Sequence, residues 1–233
     1  MIQILRHFRS RLKLALPAAA AALSLHAHAA TFTLESTTVI LDEQERRVAF
    51  NVKNEGNEPI LLLSKLDDLD KDDKMSQRIL IAPPIARIDP GQSQQVNFAL
   101  KKGAALDREY LLKASFEGVA QRGRGSMTMP VRQEVGFIVQ PSAVPQNRTP
   151  WQTLQLTSSD RQLVVTNPGP HVVRLGPELR LLPGDKRVVL KRPYMMPGET
   201  RTFDIEGAVE QIGLTPLSRY GLVQQMVTLP VSR

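Results

Sequence analysis

The chain has 233 residues, 42% of them hydrophobic and 23% charged, enough apolar material for one or two packed domains and too much for a disordered chain. It contains no cysteine, which excludes disulfides, thiol catalysis and cysteine-ligated metal centres. Three of its four histidines, His7, His26 and His28, sit at the extreme N-terminus, so only His171 is left for histidine chemistry and a multi-histidine metal site is excluded.

Residues 1–29 read as a secretory signal peptide. Arg6, Arg9, Arg11 and Lys13 form a positive n-region, residues 14–25 are apolar and rich in alanine, and Ala27-His28-Ala29 fits a small-x-small cleavage site. The apolar run, about 12 residues, falls short of the roughly 20 that span a bilayer, so the product is expected to be exported and not membrane-embedded. Cleavage before Ala30 removes four basic residues and no acidic one from a formal net charge of +7. With them goes the main support for a nucleic-acid partner.

From residue 30 onward the pattern is β. Residues 47–52 alternate polar and apolar side chains, as a half-buried strand does, and residues 60–63 form a short apolar run. Alternation returns at 95–100, 127–131, 135–139 and 162–165. Between these lie turn clusters: Asn54-Glu55-Gly56-Asn57, Asp89-Pro90-Gly91, Asn167-Pro168-Gly169, Pro183-Gly184-Asp185 and Met196-Pro197-Gly198. Helical periodicity is weak and confined to residues 65–74. Short strands at this spacing predict an all-β chain of two immunoglobulin-like β-sandwich domains, each about 100 residues. Residues 141–150 hold three prolines, which cannot supply ladder N–H groups, so they are the expected linker between domains at 30–140 and 151–233. One large barrel is the alternative.

Motifs for chemistry are weak. A calcium loop starting at Asp68 would need glycine at position 73 and glutamate at position 79, where the chain has Asp73 and Ile79. Arg122-Gly123-Arg124-Gly125 is too short for a nucleic-acid patch and reads as a hairpin loop. The basic cluster at 186–192 fits a strand flanked by surface charges. No phosphate loop or Gly-x-Ser-x-Gly elbow is present, so neither an enzyme nor a cofactor is expected.

One ordered set of motifs is specific. Pro83-Pro84-Ile85-Ala86-Arg87-Ile88-Asp89-Pro90-Gly91 is followed by Asp107-Arg108-Glu109-Tyr110, then by Met127, Met129 and Val131, Gly136-Phe137-Ile138-Val139-Gln140-Pro141 and Asn167-Pro168-Gly169-Pro170. This order resembles the PapD-like periplasmic chaperones of the chaperone–usher pilus pathway. Tyr194-Met195-Met196-Pro197-Gly198 is similar to its divergent class-5 and common-pilus members. The resemblance implies two immunoglobulin-like domains set at an angle around a cleft, in the periplasm. It implies capture of incomplete pilus subunits by donor-strand complementation and delivery to an outer-membrane usher. A structural pilus subunit or adhesin built of the same domains is the alternative, although residues 31–41 read as a first strand inside the domain, not as a polymerising extension.

The resemblance makes Met127, Met129 and Val131 the donor-strand contacts. Spaced i, i+2 and i+4, they point to one side of a strand, and methionine adapts to several related grooves. Pro130 lies between two of them and removes a ladder donor. In the family's P-pilus type an arginine on the first strand and a lysine on the donor strand hold the subunit's terminal carboxylate. The matching positions here are Thr38 and Gly136, which carry no charge. Arg132 and Arg174 are the candidate replacements, since a guanidinium offers a carboxylate a bidentate fork. The same type holds its domains with buried charges. The matching residues are Glu109, Asn97 and Arg219, which predicts a Glu109–Arg219 pair with Asn97 hydrogen-bonding nearby. The cysteine pair of the family's second domain is missing.

Overall fold

The computed structural model describes residues 31–70, 74–121, 129–159, 161–207 and 209–232. The signal-peptide residues 1–29, Met127, the arginine–glycine segment at 122–125 and residues 71–73 of the acidic run lie outside them. Two β-sandwiches follow one another along the chain.

In the first sandwich one sheet has the order β1-β3-β7-β5, built from β1 (Phe32–Leu34), β3 (Arg47–Asn54), β7 (Ser93–Leu100) and β5 (Ile79–Ala82). The facing sheet, β2-β9-β8-β4-β6, is built from β2 (Thr38–Asp42), β9 (Val131–Gln140), β8 (Tyr110–Ala120), β4 (Ile60–Asp68) and β6 (Ile85–Ile88). Strand alternation turns Phe50 and Val52, Val96 and Phe98, Ala114 and Phe116, and Phe137 and Val139 inward, all buried. Phe50 stacks on Phe116 with centroids 5.1 Å apart, and Phe98 meets Phe137 edge-on at 5.0 Å.

The second sandwich pairs β10 (Gln155–Ser158), β11 (Gln162–Thr166) and β15 (Thr200–Asp204) against β13 (Lys186–Val189), β12 (Val173–Leu182), β16 (Gln211–Pro216) and β17 (Val227–Pro230). β14 (Tyr194–Met195) lies on β12. Trp151, Leu163, Val165, Leu175, Leu179, Leu181, Ile212 and Leu214 are part of its core. Two separate cores rule out the single barrel. A third, smaller cluster of Leu111, Ile138, Val172 and Met196 joins the sandwiches, with Ile40, Leu69 and Tyr194 packed on it.

Two strand-level expectations change. Residues 65–68 of the weak helical signal lie in β4, whose Asp67 and Asp68 pair with Lys113 and Leu112 of β8. The described turn after it is a short 3-10 segment, Met75–Arg78, held by the Asp68 carboxylate, which accepts the Ser76 N–H at 2.8 Å. Met129 and Pro130, expected inside a strand, precede it: β9 starts at Val131, the first residue after the proline able to donate to a ladder.

Candidate functional site

β9 differs on its two sides. Against β8 it pairs along nearly its whole length, from Val131 opposite Gly118 to Val139 opposite Tyr110. Against β2 it pairs in parallel only from Gly136, opposite Thr38, to Gln140, opposite Asp42. Among the described residues no strand pairs with residues 131–135 on that side, which leaves a free edge about 17 Å long at the usual rise per residue. Val131 and Val135 pack on the first core, and the Gln133 amide between them donates to the Phe32 carbonyl at 2.6 Å. Met129, with the same parity and beyond the core, is 69% exposed.

The free edge ends at Gly136, and there the second domain reaches in. Arg174, on β12, lays its guanidinium across the Thr38–Gly136 step. Its Nη1 donates to Thr38 Oγ1 at 2.8 Å and to the Arg219 carbonyl at 3.1 Å. A Cβ on Gly136 would lie 3.4 Å from both terminal nitrogens, at the edge of ordinary contact, so glycine leaves the guanidinium room beside β9 that a larger side chain would take. Among the described residues no carboxylate lies within ion-pair distance of Arg174. Burial pushes its pKa down from the ordinary value, but a guanidinium stays protonated. It is a largely desolvated cation whose partners among the described residues are neutral oxygens.

Arg132 is held elsewhere. It lies directly across from Glu117 of β8 and pairs with that carboxylate on the exposed sheet face, four residues from Gly136. The Glu117 hydrogen bond and charge raise its pKa.

A second set of charges lies deeper in the cleft. Glu109 is 4% exposed and its Oε2 accepts the Val172 N–H at 3.0 Å. Its own N–H donates to the Pro170 carbonyl at 2.8 Å. Oε1 stands 3.7 Å from Arg219 Nη2, which donates at 2.6 Å to the buried Gln140 side chain. Burial is the largest influence on Glu109 and pushes its pKa up, against the Val172 N–H and the Arg219 charge. The loop that presents Val172 is pinned by fully buried Asn167, whose amide donates to the carbonyls of His171 at 2.8 Å and Met196 at 3.0 Å.

The structure thus brings Glu109 and Arg219 together but not Asn97. Asn97 sits on β7 between Ala49 of β3 and Ala82 of β5, in the opposite sheet, and is exposed because Val96 and Phe98 take the core positions on either side. Its place beside Arg219 belongs to Gln140. That glutamine closes the apolar run of β9, and a polar residue ending such a run at a buried position was its available signal. Met127 lies outside the described residues. Among the described residues no helix is long and apolar enough to cross a membrane.

Residues 31–145 match the family of pili and flagellar-assembly chaperones through its PapD N-terminal domain. The fimbrial chaperone YhcA of Escherichia coli K12 is 30% identical over 190 residues, 80% of this chain and 84% of that protein. The fold is similar to that of the E. coli chaperone DraB, with a TM-score of 0.71 at 21% identity over 87% of this chain and 100% of the other. It is equally similar, with a TM-score of 0.71 at 21% identity over 87% and 97%, to a chain in the complex of the Salmonella enterica SafA pilin with the SafB chaperone. The chain belongs to the PapD-like family of fimbrial chaperones.

Proposed function

We propose that this protein is a periplasmic chaperone that captures incomplete pilus subunits by adding the free edge of β9 to them and passes them to an outer-membrane usher. Family membership supports this over a structural subunit or adhesin, and the complex of a pilin with a neighbour of the same fold supports the partner class. Residues 1–29 direct export, residues 30–140 and 151–233 are the two domains, and residues 141–150 link them.

The observation that carries the mechanism is that the free edge of β9 ends at an uncompensated guanidinium. A guest strand on that edge lies on the line of β2. Running parallel to β9, as β2 does, it ends at Thr38 and Gly136, and its terminal carboxylate meets Arg174. Backbone hydrogen bonds give the guest affinity without regard to sequence, and the carboxylate fixes its register. Met129 and Val131 fill the guest's apolar groove, and Met127, outside the described residues, is assigned to it with them. Each such side chain is worth about 1.5–3 kcal/mol when fully buried. Arg174 is therefore the anchor we assign in place of charges at Thr38 and Gly136, and Arg132 is a surface ion pair.

Co-expression with a pilus subunit lacking its N-terminal extension, followed by gel filtration, tests the reading. A one-to-one complex that Met129→Glu abolishes is expected. An unaltered complex with that variant, or no complex with the wild type, refutes it.

A further inference from the structure

The second domain carries an ordered apolar tip beside Arg174. Leu217 and Val223 form an antiparallel bridge, the Ser218 N–H donates to the Leu222 carbonyl at 2.8 Å, and the Gly221 N–H donates to the Ser218 carbonyl at 2.9 Å. Ser218 Oγ accepts the Leu222 N–H at 3.1 Å, and Gly221 adopts a φ of 79° that suits glycine. The tip is tied to β12 by the Leu217 N–H, which donates to the Arg174 carbonyl at 3.0 Å. It is tied to the first domain by the Thr37 hydroxyl, which donates to the Tyr220 carbonyl. A Cβ on Gly221 would be 3.2 Å from Arg174 Nη2, so tip and guanidinium are in contact.

This rigid turn nevertheless holds three large apolar side chains in water: Tyr220 is 57% exposed, Leu222 66% and Val223 73%. Single exposed apolar residues are ordinary, but three in four positions on a braced turn, touching an uncompensated cation, form a matched pair of features. Together they fit one kind of occupant, a polypeptide end that carries a carboxylate and apolar side chains next to it.

We propose that the tip at 218–223 is a second contact surface for the captured subunit and packs on the residues flanking its C-terminal carboxylate. The inference rests on the proposed strand addition to β9. Continuity selects the occupant, because a guest strand parallel to β9 ends beside Thr38, and the neighbouring Thr37 is bonded to Tyr220. The last residue of the guest reaches the guanidinium and the tip at once. The free edge of β9 pairs with the guest's backbone and the Met129–Val131 row enters its groove, whereas the tip meets the side chains next to its carboxylate, so the tip adds to discrimination among subunits. Because the turn is already ordered, contact costs little conformational entropy.

The test uses the full-length protein co-expressed with a pilus subunit lacking its N-terminal extension. The readouts are the dissociation rate of the complex, by exchange against tagged chaperone, and photo-crosslinking from benzoylphenylalanine placed at position 223. A Leu222→Asp/Val223→Asp double variant should leave the free chaperone's melting temperature unchanged and speed dissociation at least tenfold. The crosslink should fall on the subunit's last strand. Extending the subunit by two residues should weaken its complex with the wild type and change little with Arg174→Met. Capture with a dissociation rate within twofold of wild type, or a crosslink to a second copy of the chaperone, overturns the tip's role and leaves strand addition standing. Failure of the wild type to form any complex overturns strand addition itself.

Discussion

Replacing Arg219 by glutamine strips the Glu109 carboxylate of its nearest cation while the carboxylate stays 4% exposed. At 3.7 Å the attraction is worth about 4 kcal/mol for an effective dielectric near 20. Removing one member of a buried pair typically costs about 3–5 kcal/mol, because the other charge is stranded. The expected loss at pH 7 is therefore about 3 kcal/mol, the lower end, since the 3.7 Å contact is loose and Glu109 keeps the Val172 N–H. The sign of the pH dependence follows from burial, which raises the Glu109 pKa in the folded protein. A carboxyl with a raised folded pKa binds more protons folded than unfolded, so its contribution is fully present below the unfolded value, about 4.3, and is lost as pH rises through the folded value. Without Arg219 the folded value rises further, so the penalty of Arg219→Gln shrinks as the pH is lowered through that value. Urea unfolding followed through Trp151, the sole tryptophan and part of the second core, measures both terms. A double-mutant cycle with Glu109→Gln isolates the coupling. A penalty below about 1 kcal/mol that is the same at pH 5 and pH 7, with zero coupling, refutes the buried-pair argument.

Met129→Glu should change stability by less than about 0.5 kcal/mol, because Met129 is 69% exposed, while abolishing subunit capture in gel filtration. Gly136→Leu should displace the Arg174 guanidinium, which a Cβ there already meets at 3.4 Å, and should weaken capture at least tenfold in dissociation assays while the Phe98–Phe137 core stays folded by circular dichroism. Arg132→Ala should leave capture unchanged and cost under about 1 kcal/mol in thermal melts, since its partner Glu117 lies on the exposed sheet face.

The period-2 pattern made β3, β7, β8 and β9 legible because each buries one face, and turn clusters placed most of the breaks between strands. Over residues 65–68 the helical signal failed because Asp67 and Asp68 at the end of β4 mimic a polar helix face while their backbones stay in the ladder with β8. Asn97 failed for a different reason. Matching a position to a family motif ignores parity, and Val96 and Phe98 fix Asn97 on the outer face of the far sheet. Gln140 was missed because a glutamine at a strand end looks like surface until Arg219 from the other domain is placed against it. Arg174 was legible only as one of two candidates, because nothing local says that β12 aims it across the cleft at Thr38.

The origin of that guanidinium has a thermodynamic consequence. A cation mounted on β2 or β9 would be present in the first domain alone. Here the charge at the Thr38–Gly136 step exists only while the second domain is docked, through the Leu111–Ile138–Val172–Met196 cluster and the Glu109–Arg219–Gln140 contacts. Subunit binding and domain docking are then linked, and linkage is reciprocal: whatever factor docking adds to subunit affinity, bound subunit adds to docking. Although Arg219 lies within the tip, its side chain is only 16% exposed and is engaged with Glu109 and Gln140 and not with the outer face of Tyr220, Leu222 and Val223, yet Arg219→Gln should weaken subunit binding, and bound subunit should restore part of the lost stability. The Arg219 carbonyl that accepts from Arg174 is backbone and survives the substitution, so any loss of affinity reports docking and not a missing contact. Titrating subunit into the variant while following its urea midpoint checks this. Linkage requires a smaller rise than RT ln(1 + [L]/Kd) gives for the wild-type Kd; a rise equal to that value means that the variant binds as tightly as the wild type and rejects linkage.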